Sequence, residues 1–188
     1  YHHHAHALRT LLKLGITGNR LIDRGINWVI KRQRDDGGWI HRANVPTGKN
    51  IDKIPSCIWT TAEIAALLSE KSGFKKSDEL KRACEFLLPN VEKDNVSTLL
   101  PDANAWAQFN ITSDSNLMFA GGTLKVLEIL VRAWYNPSNP QFKKLYEWFL
   151  AQQMDDGMFP MAAGNMPIAN EAVSVRAMAL VRAVESTR

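Results

Sequence analysis

The sequence predicts an all-α protein built from about three helical hairpins. Two stretches, 24–39 and 144–159, repeat one pattern of residue types at one internal spacing. Apolar residues recur at helical spacing through the 188-residue chain, and no convincing alternating strand pattern occurs. Repetition of this kind is typical of stacked supersecondary units, so we expect a single repeat domain over 1–188. The repeats are expected near 16–73, 74–135 and 136–188.

The repeated pattern is an aromatic residue, a glutamine, a glycine and a second aromatic residue. These positions are Trp28, Gln33, Gly37 and Trp39 in the first copy, and Trp148, Gln153, Gly157 and Phe159 in the second. The glutamine falls at a helix end, where its amide can bond unpaired backbone groups. An Asp-Asp-Gly turn follows each glutamine. Because the aspartate pair repeats, it indicates a turn and not a metal or acid site.

A partial third copy lies between the other two. Residues 82–87 match the opening half of the pattern, but Pro89 and Val91 stand where helix and glutamine are expected. This spacing predicts a repeat of about 60 residues. The periodicity and the stop signals predict seven helices, near 5–14, 19–34, 56–71, 77–89, 115–134, 139–153 and 170–186.

Composition restricts the function classes. A net charge of +4 with scattered Lys and Arg does not indicate nucleic-acid binding. No apolar run reaches membrane-spanning length, and we expect a cytoplasmic protein. Cys57 and Cys84 form neither a disulfide framework nor a metal spacing. The His-rich start, 1–6, is either an expression tag or native chain, and it runs directly into an apolar helix.

The repeated pattern resembles the QW motif of the squalene-cyclase and prenyltransferase superfamily. Residues 24–39 fit that motif at every defined position, and 144–159 depart at Leu145 and Phe159. The resemblance implies an α/α-toroid, with an inner and an outer ring of helices. Closed toroids of this superfamily have five to seven hairpins, so this chain would be a partial or open toroid. It would be completed by self-association or by further repeats, and residues 1–15 resemble the end of a preceding repeat.

The resemblance also implies a terpenoid cyclase-like or prenyltransferase-like function, with an isoprenoid in an apolar concave cavity. Cyclases of this type protonate their substrate with a buried Asp. Residues 59–63 match the end of one such acid motif, but Trp59 stands in the acid position. Asp114 matches the aspartate of the prenyltransferase zinc site, yet Asn116 replaces the cysteine ligand. We therefore expect no metal and no cofactor.

The candidate site residues are weighed against plainer structural roles. Glu63 and Asp114 are the candidate catalytic acids, and Trp59, Trp106, His41 and Arg42 are the candidate substrate-binding residues. The tryptophans could line a cavity and stabilise a cation through their π faces. His41 and Arg42 could bind an anion such as diphosphate. The commoner roles of such residues are core packing, ion pairing and solvated loops.

Two other function classes stay open. The hairpins could form a non-catalytic scaffold that binds a protein or lipid along its concave face, as other helical repeats do. Some polysaccharide lyases also use α/α-toroids. That class calls for a basic residue and an acidic cleft in the long loops 40–55 and 90–114.

Overall fold

A computed structural model describes residues 1–41, 45, 47–91, 122–160 and 168–186. Within these ranges the chain is helical and contains no β-strand, which confirms the all-α prediction there. The α-helices are α1 (His2–Lys13), α2 (Arg20–Ile30), α3 (Ile58–Glu70), α4 (Asp78–Asn90), α5 (Thr123–Arg132), α6 (Pro140–Leu150) and α7 (Glu171–Glu185).

Polar side chains cap the starts of four helices. The side chain of the residue before each helix accepts a hydrogen bond from a backbone N–H of the first turn. These capping residues are Asn19 for α2, Ser77 for α4, Asn139 for α6 and Asn170 for α7. These caps define the residue at which each of the four helices starts.

Several helix ends differ from the sequence prediction: α1 starts at His2 and not at 5, and α6 ends at Leu150 and not at 153. The helix expected over 19–34 ends at Ile30, because Arg32 N–H and Gln33 N–H bond carbonyls three residues back and tighten the chain into turns. In contrast, α4 continues through Pro89 to Asn90, one residue beyond the expected end. The proline lies in the last turn of the helix, where it interrupts only the final bonds.

The chain divides into two compact units, 1–101 and 102–188. In the first, α1 packs against α3 and α2, and α3 packs against α4. In the second, α5 packs against α6 and α7. In both units the odd-numbered helices pack on each other, and each even-numbered helix packs on one odd-numbered helix.

The helix α3 is buried on all sides. Every residue from Ile58 to Ser69 is buried. Its composition explains this, because apolar side chains occupy most of its surface and the alanines allow close helix approach. The corresponding α7 differs, since Val175 and Met178 on one of its faces are exposed.

Candidate functional site

The repeated motif forms a turn after the end of α2, and this turn packs against α4. We call residues 33–39 the first corner. The Gln33 amide nitrogen donates to the carbonyl oxygens of Gly37 and Glu79, at 2.8 Å each. The Arg82 guanidinium donates to the Gln33 amide oxygen at 2.7 Å. The glutamine thus connects the end of one helix with the first turns of another.

The two glycines of the first corner allow a close approach that a side chain would prevent. Gly37 has φ +86°, and a Cβ there would collide with the backbone carbonyl of Arg82. A Cβ on Gly38 would lie 2.5 Å from the Cβ of Ser56. Glycine is therefore required at Gly37 both by its backbone conformation and by the packing of α4.

The aspartate pair serves the turn. The Asp36 carboxylate accepts from the backbone N–H of Gly38 at 3.0 Å, and from the N–H and hydroxyl of Ser56 at 3.1 and 2.7 Å. These bonds hold the turn against the segment that leads into α3. Because three donors already occupy Asp36, the geometry is that of a structural turn.

Trp39 anchors the first corner in the core. Its side chain is fully buried, and its indole N–H donates to the Val29 carbonyl at 2.9 Å. Its backbone N–H donates to the Thr61 hydroxyl on α3 at 3.0 Å. In contrast, Trp28 is partly exposed, with the Arg32 guanidinium 3.9 Å from its ring centroid.

The second corner, residues 153–159, repeats this geometry. The Gln153 amide nitrogen donates to the Gly157 carbonyl at 2.8 Å, and Gly157 has φ +81°. The Asp156 carboxylate accepts from the Met158 N–H at 2.9 Å. Phe159 is fully buried, and its N–H donates to the Ser174 hydroxyl on α7 at 2.8 Å. Ser174 therefore corresponds to Thr61, and α7 corresponds to α3.

The corners differ in what lies against them. Gly37 is buried against α4, whereas Gly157 is exposed, and a Cβ on Gly157 would meet only the Gln153 amide at 3.9 Å. In the first corner the Gln33 amide oxygen accepts a hydrogen bond from Arg82. No described residue bonds the corresponding amide oxygen of Gln153. Among the described residues, the second corner has no counterpart of α4.

Glu63 lies in the buried interior between α1 and α3. Its side chain is 5% exposed, with His6 Nδ1 at 3.6 Å and an Arg9 nitrogen at 4.0 Å. Arg9 also bonds Glu70 through two nitrogens, at 3.0 and 2.8 Å. These partners give Glu63 the surroundings of an ion pair between packed helices.

His2, in the first turn of α1, packs on His41. The His2 and His41 rings stack with centroids 4.7 Å apart, and His3 lies 4.0 Å from His2. Burial, together with neighbouring His3 and His41, lowers the pKa of His2 to about 3. Since His2 and Ala5 are buried, this segment packs as part of the first unit.

The other sequence candidates fall into two groups. Trp59 lies at the start of α3 and is buried. Arg42, Trp106 and Asp114 lie outside the described residues. Of the tryptophan pair only Trp59 is described, and of the two candidate acids only Glu63, so both pairings stay predictions. Sequence reasoning missed the roles of Thr61 and Ser174, which only an alignment of the helices after each corner would have found.

The cysteines are buried and unbonded to each other. Burial raises the pKa of the Cys84 thiol to about 12. A thiol with that pKa stays protonated at neutral pH and is not an activated nucleophile. Among the described residues, no group of three or more His, Cys, Asp or Glu side chains could hold a metal ion.

The clefts beside the first corner are polar. One, of about 590 Å³, lies on the outer side of the aspartate turn. Its lining residues are Arg34, Asp35, Asp36, Asp52, Lys53, Ile54 and Pro55. Charges of both signs surround this cleft, so it does not suit an apolar ligand.

Comparisons with known proteins add no family. No protein-family model and no curated protein matches this chain. In the described part of the chain, no helix has both the length and the apolar character that a membrane span requires.

Proposed function

We propose that this chain is a partial or short α/α-toroid of the QW-repeat type that binds an isoprenoid or a similar apolar ligand. The observation that carries this proposal is the repeated corner. In both copies the glutamine bonds the glycine carbonyl, and the buried aromatic residue bonds a hydroxyl on the following helix. Shared geometry at this level supports the resemblance to isoprenoid-binding toroids more strongly than residue types alone.

The ligand would be held by aromatic side chains near the start of α3. Trp59 replaces the acid of the resembling motif, so this position offers a π face and a large apolar surface. Trp106, which lies outside the described residues, is the second aromatic residue that the sequence proposes for binding. A tryptophan that faces a carbocation or an allylic chain stabilises it through its π electrons.

The geometry argues against Glu63 as the acid of such a reaction. Protonation of an alkene needs a protonated carboxyl group in a dry site. Glu63 instead faces His6 and Arg9. Carbocation chemistry in this protein would therefore need a different acid, and Asp114 is the remaining candidate. Binding is the part of the function that we propose here.

A binding measurement tests the proposal. We would titrate the protein with farnesol and geranylgeraniol by isothermal calorimetry, for the natural chain and for Trp59→Ala with Trp106→Ala. The proposal predicts saturable binding that weakens about tenfold or more in the double variant, because two aromatic contacts are lost. Trp134→Ala, which removes an exposed tryptophan at the end of α5, is the matched control.

The controls separate a lost contact from a lost fold. Trp59→Phe keeps an apolar ring in the core and should retain most of the affinity. Circular dichroism and thermal unfolding show whether each variant folds. Absence of isoprenoid binding by the natural chain, or unchanged affinity in a folded double variant, would contradict the proposal.

A non-catalytic scaffold is the second candidate, and one observation favours it. Gly157 of the second corner is exposed and no described helix lies against it, whereas the first corner packs on α4. The lyase-like alternative gains no support from His41, which stacks on His2. A cytoplasmic location stays a prediction.

A further inference from the structure

One exposed surface of the second unit consists of Gln153, Gly157, Val175 and Met178, and we call it the tail face. The correspondence of Ser174 with Thr61 places Val175 and Met178 at the positions of Ala62 and Ala65 on α3. On α3 those positions are buried, whereas Val175 is 71% exposed and Met178 is 42% exposed. The tail face therefore combines an apolar helix surface with the open second corner.

The side of α7 that faces its own unit is already occupied. Arg176 corresponds to Glu63, and its guanidinium bonds the Glu128 carboxylate on α5 at 3.0 Å through each of two nitrogens. In the first unit Glu63 likewise faces the preceding helix α1. Since Val175 and Met178 lie on other sides of α7, they are free for a further helix.

The first unit begins with a complementary surface, the head face: Leu11, Leu14, Leu21 and Arg24. Leu11 and Leu14 lie three residues apart on or just after α1, so they share one side of the chain there. Leu14 is 71% exposed and Leu21 is 70% exposed. Arg24 is exposed on α2 and has no partner among the described residues.

The head face carries the residues that the first corner already recognises. Arg24 and Gly25 occupy the repeat positions of Arg82 and Ala83 on α4. Arg82 is the residue that donates to Gln33, and its backbone lies against Gly37. Thus α2 exposes Arg24 at the repeat position of Arg82, while Gly25 packs against Leu8 of α1, as the small residue Ala83 is buried on α4.

We propose that the head face of one molecule binds the tail face of a second molecule of this chain. Arg24 of one copy donates to the Gln153 amide oxygen of the other, as Arg82 does to Gln33. The backbone of α2 approaches Gly157, where no described side chain blocks it. Leu11 and Leu14 cover Val175 and Met178, which removes apolar surface of both copies from water.

A second copy is the occupant because this chain carries both halves of the contact. Both surfaces contain exposed apolar side chains and one polar recognition group, so they match in chemistry. The two surfaces are different, and the contact is therefore head-to-tail, which produces closed rings or open chains and not an isologous pair. This inference rests on the proposed repeat arrangement and does not depend on isoprenoid binding.

Variants that change the charges of Arg24 and Gln153 test the proposed contact. Sedimentation equilibrium of the natural chain should show concentration-dependent self-association. Gln153→Arg places a cation opposite Arg24 and should weaken association about tenfold or more, and Arg24→Glu should do the same by removing the donor. The double variant, Arg24→Glu with Gln153→Arg, places opposite charges across the contact and should recover association.

Matched controls lie one residue or one turn away. Gln152→Arg changes an amide that bonds the Trp148 carbonyl, and Arg20→Glu changes another exposed arginine of α2. Both should leave association unchanged. Met178→Asp should weaken association through the apolar half of the contact, with circular dichroism confirming the fold of every variant.

The outcomes are distinct. A natural chain that stays monomeric at every concentration would overturn the inference, whether or not it binds an isoprenoid. Self-association that neither Gln153→Arg nor Arg24→Glu weakens would overturn it too, since another surface would then be responsible. Recovery in the double variant, with unchanged controls, supports it.

Discussion

Gly37 lies so close to Arg82 that no side chain fits between the first corner and the backbone of α4. This contact, together with the Gln33 bonds to Glu79 and Arg82, fixes where one hairpin meets the next helix. The motif thus acts through shape and hydrogen bonding at a junction. Its second copy has the same internal geometry, and no helix among the described residues lies at that junction.

The glycine pair gives a direct comparison. We predict that Gly37→Ala lowers the free energy of unfolding by about 3 kcal/mol or more, because the methyl group meets backbone that cannot move aside. Gly157→Ala should cost only about 1 to 2 kcal/mol, the penalty of a positive φ without a collision. Urea unfolding of both variants measures the difference. Equal losses would show that α4 does not press on the first corner.

The hydroxyl of Thr61 should stabilise the fold through one bond. Thr61→Val leaves the buried Trp39 N–H without its acceptor, and should cost about 1 to 3 kcal/mol. Thr60→Val is the control, since the Thr60 hydroxyl is buried and bonds no described group. Removing the Thr60 hydroxyl should leave the free energy of unfolding unchanged or raise it. Chemical denaturation of the two isosteric variants decides, and a costly Thr60→Val would contradict this account of the turn.

Stability should depend on pH through His2. Its pKa in the folded chain, about 3, lies below the ordinary value of 6.5. The unfolded chain therefore binds a proton first, so the contribution of neutral His2 is present above pH 6.5 and is lost as the pH falls toward 3. His3, His6 and His41 surround the same ring and add to the effect.

The variant His2→Gln isolates this dependence. We expect its thermal midpoint to change less between about pH 7 and about pH 4 than that of the natural chain. His4→Gln is the matched control, because His4 is exposed and lies outside the buried cluster around His2. Parallel pH profiles for His2→Gln and the natural chain would contradict the buried placement of His2.

Glu63 should matter for stability and not for ligand binding. Glu63→Gln keeps the shape but removes the charge that faces His6 and Arg9, and should cost about 2 kcal/mol. Isoprenoid affinity should not change if the carboxylate is an ion-pair partner. Calorimetric titration and urea unfolding of the same variant test both halves. A large loss of affinity without a loss of stability would assign Glu63 to the ligand site.

Much of the fold followed from the sequence, because its signals are local. The helices predicted from 77 and from 139 start at Asp78 and Pro140, and the glycines after α2 and α6 marked the corners. The end of α4 did not follow, since the helix continues through Pro89 to Asn90, one residue beyond the predicted range 77–89.

The contacts of the candidate site were harder to predict. That Glu63 would meet His6 and Arg9 depends on how α1 lies on α3, which residue spacing does not specify. The same holds for Arg82, whose partial motif gave no sign that it would bond Gln33. Arg42, Trp106 and Asp114 lie outside the described residues, so their assignments stay predictions.

A double-mutant cycle between Gln33 and Arg82 tests most directly whether the repeated motif joins one hairpin to the next. We predict that the losses in the free energy of unfolding caused by Gln33→Ala and Arg82→Ala are non-additive, with a coupling energy of about 0.5 to 1 kcal/mol in urea unfolding. The ammonium of Lys81 lies near Glu85. The stability losses of Gln33→Ala and Lys81→Ala should therefore be additive. Additive losses for Gln33 and Arg82 would contradict the account, because the motif would then stabilise only its own turn.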